Sequence, residues 1–292
     1  MKNQLSGLLN ITKPAGISSY KAVETIKQVT GIQKVGHTGT LDPFASGVLV
    51  LCLDKACRLA EYIKNEKKTY IADIILGTVT DTYDKTGIKE NVSQKEPDLK
   101  EIENVIESFS GEQFQLPPMY SAKKIKGKRL YHYARDGETI ERAPQKINIY
   151  DIELQEYKYP LVKIKVSCSA GTYIRVIGND IGSKLETGAY VDDLTRTGVG
   201  NFNIEESTPL NYINKENWQK FLLPFSLAVN SLPKVILDIQ QIALIKRGLS
   251  VYYDKGGEKD IAIACISENE EVIAIAKYSS RTSELLPEKV FV

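Results

Sequence analysis

An α+β fold is expected from three features of the sequence. Stretches such as "KKTYIADIILG" and "LVKIKVSCS" alternate apolar and polar residues with a period of two. Others, such as "SSYKAVETIKQVTG" and "DLKEIENVIESFSG", carry apolar stripes at helical spacing. The two kinds do not follow a regular βαβ rhythm, which argues against a doubly wound parallel sheet. No repeat or low-complexity tract interrupts them. The 292 residues suit one large domain, or a large and a small one.

Taken in order, "GLLNITKPAGISS" reads as a short strand closed by a Pro/Gly turn. A helix follows, with Ser18 or Ser19 as its N-cap, Val23, Ile26 and Val29 as its stripe, and Gly31 as its stop. "GVLVLCL" is a strand of buried type. The next strand places Tyr70, Ala72, Ile74 and Leu76 on one face, and "TVTDTYDKTG" is a polar loop. The helix after it carries Leu99, Ile102, Val105, Ile106 and Phe109 on one side. Another strand turns Val162, Ile164, Val166 and Cys168 inward and Lys163 and Lys165 outward. It leads into a helix expected from about Thr172 to Gly188. Residues 210–233 read as a covering helix and a linker. From Lys234 the chain offers one helix, "ILDIQQIALIKRG", and short strands such as "DIAIACIS" and "EVIAIAKY", a small and mostly β appendix.

Composition narrows the function classes. With 38 Lys and Arg against 37 Asp and Glu, the net charge is +1, so a polyanion would have to be held by a local patch. The four cysteines, Cys52, Cys57, Cys168 and Cys265, lie in apolar contexts without CxxC spacing and read as reduced core residues. The N-terminal apolar run is too short for a signal peptide and nothing approaches a membrane span, so a cytoplasmic location is expected. No His or Cys cluster suggests a metal, and no P-loop or GxGxxG motif suggests a nucleotide cofactor. Neither is expected.

Three stretches carry candidate chemistry. "GHTGTLDPFASG" holds His37, one of two histidines, and Asp42 on a backbone fixed by glycines and a proline. Such a setting suits a positioned nucleophile or base, and suits a turn-forming aspartate equally. "MYSAKKIKGKRLYHYAR" interleaves Lys123, Lys124, Lys126, Lys128, Arg129 and Arg135 with Tyr120, Tyr131, Tyr133 and His132. That mixture offers phosphates a charge and bases a stacking surface, or is simply a solvated helix face. "SAGTYIR" ends a strand and opens a helix, presenting free N–H groups and Arg175 to an anion; Arg175 paired with a structural acid is the alternative. The residues by themselves lead to an RNA-facing α+β protein with one poised acid.

The motifs closely resemble those of the tRNA pseudouridine-55 synthases, the TruB family. "GHTGTLDPFASGVLVLCL" is similar to the family signature, "ITKPAGISS" to its N-terminal K-P-x-G-x-S-S motif, and "KKTYIADIILGTVTDTYDKTG" to its tyrosine motif. "PPMYSAKKIKGKRLYHYARDG" resembles its RNA-gripping insertion, "CSAGTYIR" its arginine motif and "AYVDDLTRTGVGNF" its leucine segment. The matches run in order from about residue 7 to 203. Thr12 and Ala170 depart from the family's usual residues at points outside the chemistry.

The resemblance implies an enzyme that detaches uracil from C1′ of a T-loop uridine and reattaches it through C5. Asp42 would be the catalytic carboxylate, Arg175 its partner, and Tyr70 the residue that stacks on the base and moves the C5 proton. Leu194 would wall the base pocket, and His37 would contact bases displaced when the uridine flips out. Lys13, Lys123, Lys124, Lys128, Arg129 and Tyr173 complete the implied substrate-binding set. The implied fold is a mixed-sheet catalytic domain with flanking helices over residues 1–232, with an insertion at about 112–147. A small PUA-like RNA-binding domain over 233–292 would follow. A monomer acting on the tRNA T-arm is expected, with no guide RNA, cofactor, metal or membrane. A guide-dependent dyskerin-type relative, a non-catalytic tRNA-folding helper and an RNA N-glycosylase are the alternatives.

Overall fold

The computed structural model describes residues 5–125, 127–254 and 261–291. In chain order the strands of the first half are β1 (Gly7–Lys13), β2 (Val35–His37), β3 (Ser46–Leu53), β4 (Lys68–Leu76), β5 (Thr78–Thr80), β6 (Lys89–Asn91) and β7 (Gly111–Gln115). Then come β8 (Lys124–Ile125), β9 (Lys128–Arg129), β10 (Gln145–Lys158), β11 (Leu161–Cys168), β12 (Ala189–Val199), β13 (Phe202–Asn203) and β14 (Thr208–Pro209). The last are β15 (Lys234–Ile236), β16 (Val251–Tyr252), β17 (Ala262–Ile266), β18 (Val272–Ser279) and β19 (Glu284–Val290). The α-helices are α1 (Ser19–Thr30), α2 (Ala60–Lys64), α3 (Leu99–Glu107), α4 (Leu130–Arg135), α5 (Ile174–Lys184) and α6 (Ile239–Lys246).

The expected α+β architecture is present. A large mixed sheet runs β14-β1-β3-β12-β4-β11-β10-β7, with β2 added to β3 and β13 to β12. Within that sheet, among the described residues, only β1/β14 and β3/β12 pair in parallel. The parallel contact of β3 with β12 lies mid-sheet, and the loop entering β3 carries Asp42. A second, five-stranded sheet runs β15-β17-β18-β19-β16. Among the described residues no helix is long and apolar enough to cross a membrane.

Period-two alternation sorts side chains onto two faces. On β3, Leu49, Leu51 and Leu53 join α1, α3 and α5 in one core, while Val48, Val50 and Cys52 face the other side. That second layer is shared with Ala264, Ile266, Val272, Ile275 and Phe291, so the C-terminal sheet packs onto the back of the large one. β4 buries Tyr70, Ala72, Ile74 and Leu76 as the alternation requires. Ser18 caps α1 through Lys21 N, and Gly31 closes it in the left-handed region at φ 72°. Cys52, Cys57, Cys168 and Cys265 are free thiols.

Three expectations need correction. Leu99 is 52% exposed because it is the first residue of α3, directly after the Asp98 N-cap, and lies at the outer end of the stripe on which Ile102 and Ile106 are buried. α5 spans Ile174–Lys184, shorter at both ends than the sequence suggests. Tyr173 is held extended as its N-cap, and the N–H groups of Thr187 and Gly188 both fold back onto Gly182 O. Residues 210–233 form short 3₁₀ turns in place of a covering helix. Pro209 and Pro224 start two of them, and the Asn214 and Asn217 side chains capture local N–H groups that a helix would need. Trp218, Leu210 and Ile213 are nonetheless buried, so this segment does cover the core.

Candidate active site

Asp42 projects from a loop without regular secondary structure, yet each carbonyl from Gly39 to Pro43 has a donor. Arg196 Nη2 donates to Gly39 O at 3.0 Å and Nη1 to Thr40 O at 3.3 Å. Ser19 Oγ donates to Leu41 O at 3.0 Å, Ala45 N to Asp42 O at 3.1 Å and Gly16 N to Pro43 O at 2.7 Å. Leu41 N returns a bond to Ser19 Oγ at 2.8 Å. Leu41, Phe44 and Ala45 anchor the loop in the core. The outcome is a carboxylate about one-third exposed (33%) on a backbone with no slack.

Arg175, in the first turn of α5, is buried at 2% exposure. Its Nε lies 3.1 Å from Asp42 Oδ2, but the N–H points off that line, so the contact is an ion pair without an aligned hydrogen bond. The rest of the fork is fixed elsewhere: Nη1 donates to Thr82 O at 3.2 Å and Nη2 to Tyr120 O at 2.6 Å. A second carboxylate, Asp84, lies 3.8 Å from Nη1. Asp84 is itself buried at 4% exposure, and its Oδ1 accepts from Thr82 Oγ1 at 2.9 Å and Thr86 N at 3.0 Å. Of the two acids, only Asp42 can meet a substrate.

Asp42 and Arg175 open on a cavity of about 240 Å³ walled by Leu41, Tyr70, Tyr173 and Leu194. Tyr70 on β4 and Leu194 on β12 are both buried. Burial raises the Tyr70 phenol above its ordinary pKa, and the adjacent Arg196 guanidinium opposes that rise only in part. The phenol is therefore neutral at physiological pH. Tyr173 is pinned by Gln115, whose side chain donates to its carbonyl at 3.0 Å and accepts from its N–H at 2.8 Å. Arg175 lies over the Tyr173 ring, 5.8 Å from its centroid.

The structure thus brings together Asp42, Tyr70, Tyr173, Arg175 and Leu194. His37 sits on β2, half-buried and outside the cavity lining. Its Nδ1 is enclosed without a partner, and burial with nearby Arg196 and Lys64 lowers its pKa, keeping it neutral. Lys13 does not face the surface where a phosphate could reach it. It is fully buried, and Nζ donates to Pro14 O and Ile17 O, both at 2.8 Å, so the chain's own turn takes the donors that RNA contact requires. Desolvation pushes its pKa down to about 8.

Within the cationic segment, the short hairpin β8–β9 leads into α4. Lys124 and Arg129 are exposed, whereas Lys123 donates to Gln145 Oε1 at 2.8 Å and Lys128 pairs with Asp136 at 2.6 Å. Arg129 and Arg135 both lie over the Tyr131 ring. Lys126 falls outside the described residues. The first and last residues of the expected insertion, 112–115 and 145–147, pair as β7 and β10 in the large sheet.

Sequence reasoning missed Arg196, Asp84, Ser19 and Gln115. Arg196 left a readable trace: it lies two residues after Leu194 on a strand, hence on the same face. A cation there is either paired or functional. The others bind partners far away in sequence and leave no local pattern.

Comparison with known proteins places the chain in one family. Residues 27–174 match the model of the TruB family pseudouridylate synthase (N terminal domain). The tRNA pseudouridine synthase B of Clostridium tetani (strain Massachusetts / E88) is 47% identical over 249 residues, covering 85% of this chain and 86% of that protein. The protein of the same name from Dehalococcoides mccartyi (strain ATCC BAA-2100 / JCM 16839 / KCTC 5957 / BAV1) is 38% identical over 297 residues, covering 99% and 97%. A chain in the structure of an H/ACA RNP bound to a substrate RNA containing 2′-deoxyuridine superposes with a TM-score of 0.76 at 25% identity, over 98% of this chain and 85% of that one. With motifs, fold and near-full-length relatives in agreement, the chain belongs to the TruB family of pseudouridylate synthases.

Proposed function

We propose that this enzyme converts the uridine at position 55 in the tRNA T-loop to pseudouridine, without a guide RNA, and that Asp42 is the catalytic carboxylate. The observation that carries the assignment is the Asp42–Arg175 pair: a single partly exposed acid, fixed in place, at the mouth of a cavity walled by Leu41, Tyr70, Tyr173 and Leu194 and lined also by Lys64, Lys68 and Arg196. Relatives that align with nearly the whole chain are named as tRNA enzymes, which favours tRNA as the substrate.

The chemistry balances without water or a redox partner. The C1′–N1 bond breaks and its electron pair stays with the base. Asp42 acts at the ribose, on C1′ as a nucleophile or on the C2′ hydrogen as a base. The base turns within the cavity, C5 bonds to C1′, the C5 proton leaves and N1 gains one. Hydrolytic glycosidases usually need a second carboxyl to protonate a leaving group or activate water. Here the leaving group never departs, and Asp84 is buried and does not line the cavity. Arg175 orients the carboxylate, Leu194 and Tyr173 exclude water, and the neutral Tyr70 phenol stacks on the base. Lys124 and Arg129 are the exposed cations suited to T-arm phosphates.

The test is tritium release from 5-³H-uridine in an isolated T-arm hairpin, with EDTA present and no other macromolecule. Release without free uracil, abolished by scrambling the loop, is the expected result. Activity only after adding a guide RNA or partner proteins would move the chain to the guided class, and free uracil would make it a glycosylase.

A further inference from the structure

We propose that Arg196 is a positioning residue of this reaction: its guanidinium clamps the loop that carries Asp42 at both ends and so sets where the carboxylate stands. The inference rests on Asp42 being the catalytic carboxylate.

Arg196 is 1% exposed, and no carboxylate among the described residues pairs with it. A buried guanidinium without an acid is costly and has to be met by other dipoles. Here three backbone carbonyls meet it. Nε donates to Val48 O at 2.8 Å, while Nη1 and Nη2 reach Thr40 O at 3.3 Å and Gly39 O at 3.0 Å. Gly39 and Thr40 precede Asp42, and Val48 follows it. One rigid planar group therefore fixes the separation between the loop's entry and its exit.

The backbone of Arg196 does related work. It pairs in parallel with Gly47, and a Cβ at Gly47 would stand 2.2 Å from Arg196 O. The strands can approach this closely only because residue 47 has no side chain. The same guanidinium lies against the Tyr70 phenol and lines the cavity, so it fixes the two groups proposed to touch the nucleotide relative to each other. Arg175 differs in kind, because it contacts the carboxylate itself. A lysine at 196 would keep the charge but offer one ammonium in place of a fork, and could not hold residues 39, 40 and 48 at once.

The experiment compares R196K and R196A with wild type in single-turnover conversion of a T-arm hairpin, together with hairpin affinity, thermal melting and amide exchange at Leu41 and Ala45. R196K is expected to fold and to bind the hairpin within about threefold of wild type. Its maximal rate should fall by roughly 100-fold, the scale of a misplacement of about 1 Å. The Leu41 amide, bonded to Ser19 Oγ on α1, and the Ala45 amide, bonded to Asp42 O within the loop, should exchange faster. Guanidinium ion at sub-denaturing concentration should partly restore R196A and leave D42N inactive. R196K turning over within about threefold of wild type, or unchanged loop exchange in a folded variant, would overturn the proposal. So would a deficit accounted for by the unfolded fraction alone. If R196K does not fold, the guanidinium rescue of R196A decides. If wild type makes no pseudouridine, the functional reading fails, while the exchange measurement still decides the clamp.

Discussion

Substituting Gly47 by Ala probes the closest backbone approach in the large sheet. Gly47 has φ +104°, and the added Cβ would lie 2.2 Å from Arg196 O, 2.8 Å from its N and 2.9 Å from its C. All three are backbone atoms, so no side chain can swing away. Reaching an ordinary contact requires β3 and β12 to part by about 1 Å, which stretches a parallel ladder of two residue pairs. Holding a non-glycine residue at this φ costs about 1–3 kcal/mol. Overpacking adds about 1–3 kcal/mol more. The total of about 2–6 kcal/mol corresponds, at roughly 2 °C per kcal/mol for a chain of this size, to a fall of about 4–12 °C in Tm. Gly111→Ala is the matched control: its φ is +92°, with nothing within 4 Å of the built Cβ, so it carries the backbone strain alone. Differential scanning calorimetry of both variants should show the larger loss at Gly47, with a lower turnover for that variant because its neighbour is Arg196. Equal losses would show that strand contact is not what requires glycine at 47, and the reasoning would be wrong.

Asp42→Asn should abolish turnover and leave hairpin affinity within a few-fold, as read by tritium release and filter binding; a tenth of wild-type activity would remove Asp42 from its role. Arg175→Lys should cripple turnover as well, since one ammonium cannot serve Asp42, Thr82 O and Tyr120 O together, and retained activity would contradict the fork geometry. Neutralising Lys124 and Arg129 should reduce the slope of log K against log salt by roughly 0.7–0.9 for each phosphate that is no longer neutralised. Lys123→Ala and Lys128→Ala should change it less, because those cations are already engaged. Lys13 has a folded-state pKa of about 8 against an ordinary 10.5, so above pH 8 this side chain holds more protons in the unfolded chain and its contribution to stability rises with pH toward 10.5. Urea titrations from pH 8 to 10 should give wild type a more positive slope of stability against pH than Lys13→Met; equal slopes would refute the assignment.

Local patterns disclosed much of this fold. Tyr70, Ala72, Ile74 and Leu76 alternate in sequence and lie on one buried face, and Ser18 and Gly31 bound α1 as side-chain and glycine capping dictate. The recognisable motifs likewise indicated Asp42, Tyr70, Tyr173, Arg175 and Leu194, which share one cavity. What stayed hidden depends on long-range partners. Lys13 looks like an available cation until the turn at Pro14 and Ile17 is seen to enclose it. Arg196 reaches carbonyls 148 to 157 positions away, and Asp84 becomes a second acid beside Arg175 only once α5 packs beside the β5–β6 turn. Around residue 218, apolar spacing suggested a helix, but prolines and asparagines that satisfy the backbone locally prevailed.

The bonded run of carbonyls from Gly39 to Pro43 bears on how RNA is selected. A segment whose acceptors are all occupied gains nothing by moving toward a visitor and loses bonds if it does. Adaptation is thereby left to the nucleic acid, whose backbone must swing a nucleotide out to reach a stationary acid. A uridine in a loop pays little for that swing, while one stacked in a duplex gives up pairing and stacking. Stiffness on one side of the encounter thus becomes a filter on flexibility at the other. With Asp42 in its proposed role, such a filter would discriminate among uridines of identical chemistry without reading the edge of a single neighbouring base.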